Sequence, residues 1–487
     1  MLFNSYIFAL LFLPLVIVGY FGINHFCKYK LANLFLIGMS LWFYGYYSPK
    51  YLLVIGISVL GNYGVAFGIN HLSDEQRKWK KVLLILGIVA NISSIFYFKY
   101  YDFFVSSLNA VAGTDFVLRQ VVLPLGISFF TFQQVSYLVD TYKGQTKDYG
   151  FIEYALFVVY FPQLVAGPIV LHSEMIPQFR DENRRYVNYQ NMSHGLYVFA
   201  VGLVKKVLIA DTLSKAVTWG FGTIDSLSVL EAWIVILSYT LQLYFDFSGY
   251  CDMASGIACM MNIKLPQNFN SPYRSTSIRD FWTRWHMSLT RFLTTYIYIP
   301  LGGNRKGKVR TYVNIMIVFL VSGLWHGANW TFIVWGVIHG IFSCINRMTQ
   351  GVWERIPKVI RWFVNFVVIN LTWTIFRADS LTQTMDMYRR LFAGGQQGML
   401  QVREELAYCF QLKEFAVLLP SSIGGIAISY FLMALILIVA LLLSVFARNS
   451  SEITFEKTKR RAFATVALLV WGIFSLNGVS EFLYFGF

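Results

Sequence analysis

One stretch restricts this chain more than any other: from Ile426 to Phe446 no charged residue occurs. A helix over it, rising about 1.5 Å per residue, crosses the ~30 Å of hydrocarbon in a bilayer. Comparable apolar runs lie near 3–24, 31–48, 51–70, 82–98, 119–139, 195–220, 229–248, 311–328, 330–346, 361–376 and 462–479. Residues 151–171 are interrupted by Pro162, Gly167 and Pro168 and read as a re-entrant piece. The first run has neither a basic start nor a small-residue cleavage site, so it reads as a retained helix. The expectation is an all-α, polytopic integral membrane protein with roughly 11–12 transmembrane helices plus re-entrant or interfacial helices. Residues 1–487 then form a single membrane domain.

Composition agrees. Charged residues make up 13% of the chain against about 25% in soluble proteins, which excludes a cytosolic enzyme, a disordered chain and a secreted repeat. The net charge of +15 comes from clusters between apolar runs, not from one stripe, so it reads as an orientation signal before nucleic-acid binding. The clusters are Arg77, Lys78, Lys80 and Lys81; Arg305, Lys306, Lys308 and Arg310; Arg347, Arg355 and Lys358; and Lys457, Lys459, Arg460 and Arg461. Placing them inside puts both termini outside. The 5 Cys are scattered without a CxxC pair, so neither a disulfide framework nor a zinc site is indicated.

Polar groups among apolar segments need a reason to be there. Tyr244 to Asp252 carries Asp246, Asp252 and hydroxyl groups after a hydrophobic run. Asp280, Arg284 and His286 share a segment that reads as one helix with a Ser277 cap; Asp280 and Arg284 pair, and Trp282, Trp285, His286 and Leu289 share a face. His286 and its neighbouring arginines either meet an anionic donor or anchor the helix at the interface. From Tyr312 to Asn346 there is no Asp, Glu, Lys or Arg, yet His326 and His339 are present. A neutral imidazole in such a wall is available as a base. Gly323 and Gly327 beside it allow close backbone approach. The plainer alternative, a structural histidine bonded to a carbonyl or to Asn329, stays open for His326 and is favoured for His339.

No GxxxxGK[ST], GxGxxG, GxSxG or HExxH occurs, which argues against nucleotide-driven transport, a Rossmann cofactor, a hydrolase elbow and a zinc protease. The chain ends SEFLYFGF, residues 480–487. This tail is either an aromatic-belt anchor or a segment that carries the Tyr484 phenol, a workable acyl acceptor, toward a base.

The ordered series LPLGISFFTFQQVSYLVD (123–140), FPQLVAGPI (161–169), YFDFSGYCDMASGI (244–257), LPQNFNSPY (265–273), DFWTRWHMSL (280–289), YIPLGGNR (298–305), SGLWHGANWTFIVWG (322–336) and FRA (376–378) resembles the membrane-bound O-acyltransferase superfamily. Within it, the chain resembles the bacterial membrane subunits that O-acetylate alginate or peptidoglycan. The resemblance implies helices around a transverse tunnel in the bacterial cytoplasmic membrane. It places the family's invariant histidine at His326 and a second histidine at His286. The terminal FLYF is similar to a partner peptide whose tyrosine carries the acyl group, which makes Tyr484 the candidate carrier.

The resulting expectation is an O-acyltransferase using acetyl-CoA as thioester donor, with no tightly bound cofactor and no metal. His326, His286 and Tyr484 are the candidate catalytic residues. Trp325, Asn329, Asp280, Arg284, Arg291, Asp246 and Asn270 are candidates for binding the donor or the oxyanion. The expected partner is a periplasmic or surface SGNH-like acetyltransferase with a Ser-His-Asp site, and the expected final acceptor is an envelope polysaccharide. D-alanyl-type transfer and a flippase of an acylated carrier are the alternatives.

Overall fold

A backbone N–H or C=O left unpaired in hydrocarbon is costly, so apolar runs of this length are expected to close their hydrogen bonds internally. The computed structural model describes residues 1–26, 29–146, 148–393, 399–412, 426–453, 458–476 and 482–483. Among them every regular element is helical. Eight helical stretches are long and apolar enough to span a membrane: Phe8–Phe26, Lys50–His71, Asp74–Ala112, Val229–Met260, Lys308–His326, Trp330–Met348, Lys358–Arg377 and Ile426–Phe446. Four other expected crossings contain the shorter helices Tyr29–Gly45, of 17 residues, and Ile127–Tyr142, Tyr189–Val204 and Lys459–Phe474, of 16 each. The run expected from 119 becomes helical only at Ile127. Pro124 has no N–H to donate, and Gly126 turns through φ +72° with Leu164 O only 2.7 Å from where a Cβ would stand.

The chain divides into two units, Met1–Phe199 with Met253–Pro266, and Ala200–Asp252 with Gln267–Phe487. In the first, Phe3, Phe8, Phe12, Phe43 and Phe161 interlock at ring distances of 4.9–5.9 Å where their contacts are closest. A buried amide network joins three of its helices: Asn91 Nδ2 donates to Asn62 Oδ1 at 2.6 Å, and Asn62 Nδ2 donates to Gln134. Such pairing between apolar helices supplies specificity that dispersion alone lacks. His172 is buried, with Nε2 3.2 Å from Asp140 Oδ2 and Nδ1 3.4 Å from the Tyr149 hydroxyl. Residues 151–171 form Phe151–Val159 and the single turn Phe161–Leu164; the break falls at Tyr160, and Pro162 lies inside the second piece, near its start.

In the second unit, Lys308–His326 packs along Trp330–Met348, which packs on Lys358–Arg377. The first pair approaches closely at Gly323, where a Cβ would collide with the carbonyl of Phe332. Glu231, fully buried, holds Arg403 through Nε–Oε1 at 3.0 Å and Nη2–Oε2 at 3.1 Å, and also accepts the Arg403 backbone N–H at 2.8 Å. The guanidinium lies over the Trp219 ring at 4.6 Å.

Candidate active site

His326 is the last residue of Lys308–His326; Gly327 continues in extended backbone, and Trp330 starts the next helix. This reversal places the imidazole at a helix end, yet it is only 3% exposed. Its ring centroid is 4.9 Å from Trp325, 5.2 Å from Trp335, 5.2 Å from Phe376 and 6.4 Å from His286. Two histidines 40 residues apart in sequence therefore stand side by side. Phe376, within the FRA motif, forms part of their wall.

His286 gets there by an unexpected route. The segment read as one helix is two, Ile278–Trp282 and Met287–Leu293, and His286 sits between them at φ +45°, ψ +52°. The expected shared face of Trp282, Trp285, His286 and Leu289 is thus broken by a left-handed residue. Asn268 explains the break. Its Oδ1 lies 3.2 Å from His286 Nδ1 and accepts from Ser288 N at 3.1 Å and Ser288 Oγ at 2.8 Å, while Met287 N donates to its carbonyl at 3.0 Å. The Asn268 carbonyl contact closes the turn on the backbone side. Burial, the largest cause, pushes the His286 imidazole down to about 3.

The other expected residues fall around this pair in different ways. The cap and the helix pair are present: Asp280 N donates to Ser277 Oγ at 3.1 Å, and Arg284 Nε donates to Asp280 Oδ1 at 2.7 Å. Both partners of that salt bridge are about a third exposed, where an ion pair is worth little. Asn270 holds Arg284 through its backbone, N to O at 2.9 Å, and its carbonyl accepts from Arg284 Nη1 at 3.3 Å. Arg291 lies half-buried in the last turn of Met287–Leu293. Trp325 touches both histidines, at 5.7 Å from His286. Asn329 caps Trp330–Met348: its Oδ1 accepts from Thr331 N at 3.1 Å and its Nδ2 donates to Asp379 O at 2.9 Å. His339 accepts from Trp282 Nε1 at 3.2 Å and is enclosed by aromatic rings, a structural setting.

Trp335 and Trp373 stack at 5.6 Å and are almost completely buried. Their indole N–H groups have no hydrogen-bond partner among the described residues. A buried unpaired donor carries a penalty of about 1–3 kcal/mol, and Trp335 stands against His326.

Asp246 is buried, with Oδ1 2.6 Å from Lys206 Nζ, and Lys206 also reaches Asp211 Oδ1 at 2.9 Å. Asp246 Oδ2 accepts the backbone N–H of Leu483 at 3.0 Å. Tyr484 lies outside the described residues. Asn268, Lys206, Trp335 and Trp373 were missed as candidates. For Lys206 a signal existed: Lys205, Lys206 and Asp211 are charges inside the apolar run 195–220.

The helices of the second unit thus assemble a buried imidazole at a helix end, a second histidine beside it and a wall of indoles. The family model described as MBOAT, membrane-bound O-acyltransferase family, matches residues 66–381, and the chain belongs to that family. It is accordingly a multi-pass membrane O-acyltransferase. Among its relatives, the peptidoglycan O-acetyltransferase of Helicobacter pylori is 45% identical over 80% of this chain and 79% of its own length. A probable alginate O-acetylase of Pseudomonas aeruginosa is 39% identical over 81% of this chain and 75% of its own. A teichoic acid D-alanyltransferase of Bacillus subtilis is 24% identical over 74% of this chain and 90% of its own.

Proposed function

We propose that this chain moves an acetyl group from acetyl-CoA at the inner face of the bacterial cytoplasmic membrane to a hydroxyl acceptor serving the outer face, for O-acetylation of an envelope polysaccharide. The observation that carries the reading is the buried His326, with His286 6.4 Å away and an aromatic wall around both. The relatives that act on peptidoglycan and alginate support the acetyl group and the polysaccharide.

In this mechanism His326 takes the proton of the acceptor hydroxyl, a role worth roughly 10²–10⁴ in rate. The oxygen attacks the thioester carbonyl, and the C–S bond breaks as the oxyanion collapses. The coenzyme A thiolate leaves with the proton held by His326. The indole N–H groups of Trp335 and Trp373 are suited to the developing oxyanion. Asn329 already donates one of its two amide N–H groups to Asp379 O. The first acceptor is the Tyr484 phenol. Its ester then passes to the serine of an SGNH-like partner, and from there to the polymer.

The test is purified full-length protein with labelled acetyl-CoA. His326→Ala abolishes covalent label and polymer acetylation while the folded protein is retained; label surviving in that variant removes His326 from the chemistry. Trp335→Phe keeps an aromatic ring and loses the donor, and about 10²–10³ in kcat goes with it. An unchanged kcat assigns the oxyanion to other groups.

A further inference from the structure

We propose that Lys206, Asp246 and Tyr250 form a docking clamp that holds the C-terminal tail at Phe482–Leu483, making Asp246 and Lys206 positioning residues for the acyl acceptor. The clamp rests on the reading of Tyr484 given above only in its functional consequence; the docking itself is geometric.

Lys205–Ala210 is a π-helical segment, a form that concentrates at functional sites. Its Lys206 is 2% exposed and holds two carboxylates, Asp246 at 2.6 Å and Asp211 at 2.9 Å. Lys206 thus bridges two carboxylates, and the second oxygen of Asp246, Oδ2, accepts the Leu483 backbone N–H at 3.0 Å. Bonds from an N–H to an ionised carboxylate are about twice as strong as neutral ones. The preceding side chain fills the same place. Phe482 is 2% exposed, the Lys206 ammonium lies 4.6 Å from its ring centroid, and the Tyr250 ring meets it edge-on at 4.7 Å. A cation over a desolvated ring adds attraction that water would screen. Leu483 packs on the hydrophobic core of this unit.

A belt residue lying in lipid would not be met by a carboxylate, an ammonium and a phenol ring. The clamp also borders the catalytic pair: Asp246 is followed by Phe247, whose ring contacts His286 at 4.9 Å. Leu483 is followed directly by Tyr484.

The experiment uses full-length protein in detergent, with amide exchange of the C-terminal peptide read beside acetylation of that peptide by labelled acetyl-CoA. Asp246→Ala leaves Lys206 paired with Asp211. It is expected to speed exchange at the tail at least tenfold and to lower tail label by a similar factor, with Asp246→Glu restoring part of both. Phe482→Ala leaves every charge in place and is expected to release the tail as well, so it carries the same test if Asp246→Ala fails to fold. Tail exchange as slow in the folded variants as in the parent overturns the clamp. Fast exchange with undiminished polymer acetylation keeps the clamp and instead rejects Tyr484 as carrier.

Discussion

His286 holds a backbone conformation that few side chains tolerate. A non-glycine residue at positive φ stores about 1–3 kcal/mol, and such strain persists only where surrounding bonds hold it. Asn268 holds it here by bonding on both sides of the turn. Burial also fixes the charge state: with the imidazole at about 3, His286 is neutral at physiological pH. The linkage has a definite sign. Between about 3 and the ordinary value of 6.5 the unfolded chain binds a proton that the folded chain refuses, so stability falls as pH falls through that window. The slope contributed is up to about 1.4 kcal/mol per pH unit. Thermal melting in detergent at pH 7 and pH 4.5 is expected to show this loss, and His286→Gln to flatten it. An equal slope in both proteins would remove the assignment. At this scale the burial of His326 was legible because it stands in a charge-free run, and the Asp280–Arg284 pair because their spacing alone joins them. Asn268 was not: sequence offers two asparagines in LPQNFNSPY, and only the fold decides that Asn268 reaches His286 while Asn270 acts through its backbone.

Helices set the geometry around His326 through one crossing. Gly323 lets Lys308–His326 lie against the Phe332 carbonyl of Trp330–Met348, and the same two helices supply His326 and Trp335. Alanine has the better helix propensity by ~1 kcal/mol. At this position the clash with a backbone carbonyl, which cannot turn aside as a side chain can, outweighs that gain. Gly323→Ala is expected to destabilise by about 1–3 kcal/mol and to lower activity, read by melting temperature and acetyl transfer; a variant at least as stable as the parent refutes the crossing. Apolar length made most helices readable in advance. Their starts and breaks were less so, because they depend on contacts far along the chain. The helix beginning at Ile127 waits on a turn that Leu164 crowds, and the break before Met287 waits on Asn268.

Over the whole molecule, the family match from 66 to 381 runs through both units, while the two neighbouring histidines and their aromatic wall lie in the second. Membership followed from the ordered motifs, whereas ion pairs between distant segments left no local trace. Glu231–Arg403 spans the most sequence of the ion pairs among the described residues. Removing one member of a buried pair costs roughly 3–5 kcal/mol, because the other charge stays in a dry interior. Arg403→Leu is expected to destabilise by that order and to reduce the yield of folded protein, measured by melting and by size-exclusion recovery; Glu231→Gln in the same chain is expected to recover part of it. A single Arg403→Leu variant as stable as the parent would show that the pair is dispensable.

The separation of that pair in sequence, 172 residues, has a bearing on how the protein is made. At about 5–20 residues per second, a ribosome needs on the order of ten to thirty seconds to deliver the arginine after the glutamate. Throughout that interval the nascent chain holds an acidic side chain beside a membrane helix with its counter-ion not yet synthesised. Biogenesis of this unit therefore finishes late, and chains stalled before codon 403 are the ones that quality-control proteases should find first.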